Sequence, residues 1–291
     1  MKTATLTLAL LTFSVTFGQE ISCYGDPKID WDTSPLTEVQ RKKSLATNFS
    51  LESDNPKDFY IYNGFVVKYD ESKKAPLWTT HNLPWTRVRD KDDSGNKIRD
   101  MKIRSNYCLE FKRDPNQGNI QKQPHHNDYI GSGFDKGHMT PAGDFRNDST
   151  GTLESFYITN ITLQSPDYNQ IVMVKMENSF RKWAIENKAN CQIITGALYQ
   201  DLKGRGLGSQ NKSIDYPSAF YKILYAEING KTYLYCFLVP HEFAYPDYKL
   251  SNYQVSLDEI EKLAGEDFLD KLTDELEKKI EAEKMPLPAY F

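Results

Sequence analysis

Two apolar and aromatic runs, FYIYNGFVVKYD from Phe59 and FYKILYAEINGKTYLYCFLVP from Phe220, each have an Asn-Gly pair at the centre, Asn63-Gly64 and Asn229-Gly230. β-Branched and aromatic residues on both sides of such a pair predict antiparallel hairpins, because Asn-Gly tolerates the positive φ angles of a tight turn. ESFYITNITLQ and CQIITGAL have the same character and predict further strands. Helical spacing governs SPDYNQIVMVKMENSFRKWAIENK, with Ser165 placed as N-cap and Pro166 at the first helical position, which predicts a helix to about Asn187. Ser256-Leu257-Asp258-Glu259 reads as a capping box before an amphipathic run, and a second, acidic helix is expected from about Glu266 to Glu283. Residues 19–58 are polar and irregular and read as an extended N-terminal segment. With no linker between the later elements, residues 59–291 are expected to form one α+β domain, a central and largely antiparallel sheet with flanking helices.

The first residues change the picture of where the protein works. MKTATLTLALLTFSVTFGQE has one lysine, an apolar run too short to span a bilayer comfortably, and small residues ending at Thr16-Phe17-Gly18. This predicts a cleaved signal peptide over residues 1–18 and export to a periplasm or the medium. No second stretch approaches membrane-spanning length, so no membrane anchor is expected in the mature chain. Cys23, Cys108, Cys191 and Cys236 are even in number, as suits an oxidising compartment, and allow three pairings. None forms a CxxC, and Cys191 and Cys236 read equally well as buried thiols in strands. The formal charge of −4 argues against a generally basic nucleic-acid binder. It is concentrated after Ser256, where eleven acids face five lysines, so a local positive field elsewhere remains compatible with a polyanionic substrate.

Candidate chemistry centres on SGFDKGHMTPAGDF, Ser132 to Phe145. Its glycines miss the spacing of the dinucleotide fingerprint, and His138 stands where a P-loop would have lysine, which leaves a plain turn or a catalytic loop. Downstream, Asn169, Met173, Glu177 and Arg181 are four apart and share one helical stripe. An amide, a carboxylate and a guanidinium in that stripe suit a hard cation and a phosphate, although an exposed Glu-Arg pair would read the same. GRGLG from Gly204 is expected to be a flexible loop. His125-His126 with Asp128 read as a solvated loop rather than a transition-metal site, and His81 and His241 as residues at strand ends.

GSGFDKGHMTPAGDF followed by TNITLQSPDYNQIVMVKMENSFRKW resembles the DNA/RNA non-specific endonuclease family, which includes secreted bacterial nucleases and the endonuclease G group and has a ββα-metal (His-Me finger) core. APLWTTHNL, NYCLEFKRDP, DYPSAFYK, CFLVP and VSLDEIEKLAGEDF follow in order, so the resemblance runs from about Phe59 to Leu272. It implies that His138 is the general base for the attacking water and that Asn169 is the direct protein ligand of one Mg2+, with Mn2+ as a substitute. Glu177 would hold metal-bound waters, and Asn160 would position the site through hydrogen bonds. Lys136 and Arg181 would offset charge on the phosphate, with Arg113 near the place of a further phosphate-binding arginine. The family's usual tetrapeptide is DRGH. Lys136 keeps the charge of that arginine but lacks its planar fork. The implied partners are DNA and RNA, cut to leave 5′-phosphates. The assembly is left open, a homodimer included, and an inhibitor is unknown. Two rivals are a nucleic-acid binder of the same fold without turnover and a phosphodiesterase acting on smaller substrates.

Overall fold

Alternation of apolar residues makes the long strands two-faced, and the chain meets this by covering both faces of one sheet. The structure is a computed structural model that describes residues 59–97, 110–115, 122–200, 205–207, 213–269 and 273–291. The strands are β1 (Phe59–Ile61), β2 (Phe65–Asp70), β3 (Ala75–Pro84), β4 (Asp135–His138), β5 (Ile161–Gln164), β6 (Asn190–Leu198), β7 (Arg205–Leu207), β8 (Ser213–Asp215), β9 (Ala219–Ile228), β10 (Lys231–Pro240) and β11 (Gln254–Val255). Seven of them form an antiparallel sheet in the order β1-β2-β3-β6-β9-β10-β11, while β4 pairs with β5 and β7 with β8. The helices are α1 (Trp85–Val88), α2 (Ser149–Ser155), α3 (Val174–Asn187), α4 (Leu257–Ala264) and α5 (Asp274–Glu281). No described helix is long and apolar enough to cross a membrane.

One face of the sheet packs Cys191, Ile193, Leu224 and Phe237 against Met176, Phe180 and Trp183 of α3. The other packs Ile194, Ile223 and Cys236 against Leu257 and Ile260 of α4 and against Phe268. Cys191 and Cys236 are therefore buried free thiols on opposite faces, and Cys23 and Cys108 lie outside the described residues.

The two Asn-Gly turns differ. Asn229 and Gly230 have φ of 53° and 75°, as the tight turn between β9 and β10 requires. Asn63 and Gly64 join β1 and β2 without positive φ among the residues that show it. Gly64 serves close packing instead, since a Cβ there would lie 2.4 Å from the Phe145 ring.

Other expectations need correction. GRGLG does not form only a loop, because Arg205–Leu207 pairs with Ser213–Asp215. Only the ITLQ end of ESFYITNITLQ is a strand. Asp148 accepts from the Gly151 N–H and starts α2 instead, and Ile158–Asn160 adds a 3-10 turn. The helix from Pro166 passes through a π-helical turn, Tyr168–Met173, before α3. Ser165 stands at the N-cap position, its carbonyl accepting from the Asn169 N–H at 2.9 Å, but its side chain does not cap: the backbone N–H donates to His241 Nε2 and the hydroxyl to the Glu242 carbonyl. Ser256 and Glu259 do form the predicted capping box. The acidic helix covers Asp274–Glu281, shorter than expected, and Gly265 at φ 67° ends α4 before it.

Candidate active site

β4, β5 and α3 make a ββα unit whose first strand is DKGH itself. The ladder runs from Asp135 opposite Gln164 to His138 opposite Ile161, and the Met139 N–H extends it to the Asn160 carbonyl at 2.9 Å. Asn160 is fully buried and works like an extra peptide: its Oδ1 accepts from the Thr140 N–H at 2.9 Å, and its Nδ2 donates to the Thr140 and Ser155 carbonyls at 2.8 Å each. It fixes the backbone two residues after His138. Thr140 in turn donates to the Thr79 hydroxyl, which joins the unit to β3.

Lys136 and His138 are two apart in β4 and share a face. The His138 ring packs edge-on against Phe156 at 4.8 Å and tilts against Phe111 at 5.3 Å. Lys136 Nζ lies 5.2 Å over the same Phe111 ring. Phe111 thus spaces the expected base from the expected phosphate cation. Arg113, two residues on, donates from Nε to the Pro124 carbonyl at 3.4 Å.

Asp135 ties β4 to the helix: its Oδ2 accepts from Asn169 Nδ2 at 2.9 Å and from Gln170 Nε2 at 2.8 Å. Asn169 sits in the π turn, a local widening that recurs at functional sites and that adds a residue to the turn. The stripe from Asn169 to Arg181 is therefore not one continuous helical face, and Met173 within it is buried in the core.

Arg181 departs furthest from expectation. Neither it nor Glu177 is on an exposed face: their side chains are 11% and 12% exposed. The guanidinium donates from Nε to Asp144 at 2.6 Å, from Nη2 to Glu177 at 3.0 Å and from Nη1 to Asn178 at 3.0 Å. It lies so close over Gly143 that a Cβ there would come within 2.7 Å of Nη2. Asp144 also accepts from His81 Nε2 at 2.8 Å. Lys222, fully buried on β9, donates to the Thr195 hydroxyl at 2.8 Å and acts electrostatically on Asp144 and Glu177.

Burial pushes the Asp144 carboxyl up, but Arg181, His81 and Lys222 outweigh it and hold the group well below the usual carboxylate range. Burial lowers Lys222 and His81, whereas Arg181 is raised because Asp144 and Glu177 overcome its desolvation. Glu177 is raised, by burial first, with Arg181 opposing.

Asp144, His81 and Lys222 carried no role in the sequence reading. His81 is buried three residues inside β3 rather than at a strand end, whereas His241 does follow β10 directly. His125 and His126 are half-buried, and His125 closes a capping box with Asp128 rather than lying in a solvated loop. Signals were present in the GDF that ends the catalytic stretch and in the lysine of DYPSAFYK, an ionisable residue inside an apolar strand.

The donors fit a magnesium-class ion. Asp135 Oδ2 on β4 meets the Asn169 side-chain amide at the helix start, and among the described residues the groups of three acids able to cage a metal are elsewhere. Few protein oxygens suit Mg2+, which keeps most of its waters.

The model of the DNA/RNA non-specific endonuclease family matches residues 43–275. The chain belongs to that family. Human mitochondrial nuclease EXOG is 29% identical over 217 residues, which cover 70% of this chain and 55% of that protein. Nuclease C1 of Cunninghamella echinulata var. echinulata is 26% identical over 229 residues, 74% of this chain and 84% of that one. The chain thus spans about half the length of the human relative and most of the fungal one. Among solved structures, a chain of the EndoG/EndoGI complex superposes with a TM-score of 0.64 at 23% identity, over 82% of this chain and 94% of that one, which shows the same α+β fold.

Proposed function

We propose that this family member is an exported endonuclease that hydrolyses phosphodiester bonds of DNA and RNA without base specificity. The observation that carries the reading is β4: it holds His138 beside Lys136 on one face, while Asp135 at its other end grips Asn169. His138 takes the proton of the attacking water, a role for which histidine needs little tuning. Lys136 offsets the charge that builds on the phosphate oxygens, as a point charge rather than a fork. Arg181, anchored by Asp144, adds positive potential from behind the site and holds Glu177 through their i,i+4 contact on α3. Asn169 would hold Mg2+ directly and Glu177 through water, and the ion would supply charge stabilisation at the leaving oxygen. Contacts mainly to phosphate and sugar carry little base information, and binding weakens steeply with salt.

The test is cleavage of plasmid and of RNA by the mature chain in Mg2+, in Mn2+ and in chelator. Both substrates are cut only with metal, leaving 5′-phosphates, and His138→Ala loses about 10²–10⁴-fold in rate. Cleavage by His138→Ala at the parental rate, or none by the parent with either metal, overturns the reading.

A further inference from the structure

Among the described residues, the large hydrophobic side chains that stand exposed are Ile130, Ile171, Val174 and Phe243, the last at 59%. All four border the ββα unit. Ile130 follows the 3-10 turn His126–Tyr129 and leads through a glycine-rich stretch to Phe134, directly before β4. Ile171 follows Gln170, whose amide Asp135 holds, and Val174 opens α3. The segment carrying Phe243 is tied to the helix start by Ser165, whose N–H donates to His241 Nε2 at 2.7 Å and whose hydroxyl donates to the Glu242 carbonyl. Exposed apolar side chains gathered around one place mark a contact surface.

Phe243 rests on a fixed support. Its ring lies 5.0 Å from that of Phe134, which in turn meets Tyr216 at 5.1 Å and His241 at 5.6 Å. His241 is held at both ring nitrogens, since Nδ1 meets the Pro217 carbonyl at 2.8 Å. Phe134 and Phe111 pack on the same buried cluster, which includes Leu163 and Ile161, the β5 partners of Lys136 and His138. Phe134, Lys136 and His138 are two apart along the chain and so follow one face. At about 3.4 Å per residue, Phe134 is roughly 7 Å along the strand from Lys136.

We propose that Phe243, seated on Phe134, is a stacking position for the base beside the phosphate that Lys136 meets, and that it favours an unpaired strand of DNA or RNA. The inference rests on the nuclease reading and names the substrate form which that reading leaves open. An aromatic face stacks on any base, so such a contact adds affinity without sequence preference. Bases inside a duplex have both faces covered by their neighbours, whereas a base in a single strand can turn out onto a ring.

Charge points the same way. Glu242, next to Phe243, is exposed, and its carboxylate repels a phosphate but not a neutral base. Lys136 over Phe111 and Phe243 against Phe134 then set a cation and an open ring side by side along β4, the combination with which grooves for single strands take backbone and bases together.

Cleavage kinetics in Mg2+ on a fluorescein-labelled oligothymidine strand, and on the same strand paired with oligodeoxyadenosine, test it. Phe243→Ala raises KM for the single strand roughly 5- to 100-fold and leaves kcat unchanged, because stacking is made equally before and during the reaction. Its KM for the duplex stays at the parental value. Phe243→Tyr keeps the ring and the parental KM. Phe243→Leu keeps apolar packing on Phe134 but loses the π face and behaves as the alanine variant, so it decides the matter even where the alanine variant fails to fold. Fluorescence anisotropy in chelator reads Kd for the single strand without turnover and gives the same order, parent and Phe243→Tyr tight, Phe243→Leu and Phe243→Ala weak. Binding in that order by a parent that cuts nothing overturns the nuclease reading and supports the stacking position. Parental KM and Kd for the single strand in Phe243→Leu, or an equal loss on single strand and duplex, overturns the proposal.

Discussion

Two buried charge clusters in this protein are built on opposite principles. Around Arg181 the acids face a cation: Asp144 and Glu177 both meet Arg181, Lys222 acts on both, and the His81 ring donates to Asp144. Around Glu281 acids face acids. Desolvation acts on both, yet Asp144 falls well below its ordinary range while Glu281 rises to about 8. Burial raises both carboxyls, and neighbouring charges then reverse the shift at Asp144 and reinforce it at Glu281. The first cluster is complete as the chain folds and ties α3 to the turn Ala142–Phe145.

The largest effect expected from breaking this contrast is Asp144→Asn. It keeps the shape but leaves Arg181 and His81 facing a neutral amide, which should cost about 3–5 kcal/mol of stability. Urea unfolding measures this, and an unchanged midpoint would show that the pairing is not what holds the helix.

A smaller effect comes from His81. Burial depresses its pKa, so the folded chain keeps the ring neutral while the unfolded chain protonates near pH 6.5. Stability present above that pH is lost as the pH falls below it, by at most about 1.4 kcal/mol per pH unit for one proton. Asp144, whose folded pKa is depressed, adds a further loss below about pH 4, its unfolded range. Denaturant titrations between pH 7 and pH 4 should show the first slope in the parent and a flatter one in His81→Gln.

The smallest effect has the opposite sign and sits at the other cluster. The folded pKa of Glu281 is raised, so stability present below its unfolded value is lost as pH rises toward about 8. Glu281→Gln should therefore raise Tm more at pH 9 than at pH 5. A gain independent of pH would mean that packing, not charge, limits that corner.

Much of this was legible in local sequence. The Asn229-Gly230 turn, the capping box at Ser256 and Pro166 at a helix start are set by neighbours within a few residues, and each formed where expected. The catalytic stretch was visible because DKGH and the helix after it follow the family's order. Less legible were features whose cause lies far away in the chain. Gly64 looks like a turn glycine but makes room for Phe145, and Gly143 makes room for Arg181. Helical spacing placed Glu177 and Arg181 together but could not reveal that a π turn interrupts the stripe, nor that Asp144 would draw the guanidinium inward.

By itself the sequence determined the class of fold, the family and the identity of the candidate base, because periodicity, turn chemistry and ordered motifs are short-range properties. Tertiary structure alone decided which charges are neutralised. His81 and Asp144 are 63 positions apart and meet at 2.8 Å, while Glu281 comes together with Asp258 and Glu261 from another helix. Charge composition counts both clusters alike; only the folded path of the chain places a cation beside one carboxylate and another carboxylate beside the next.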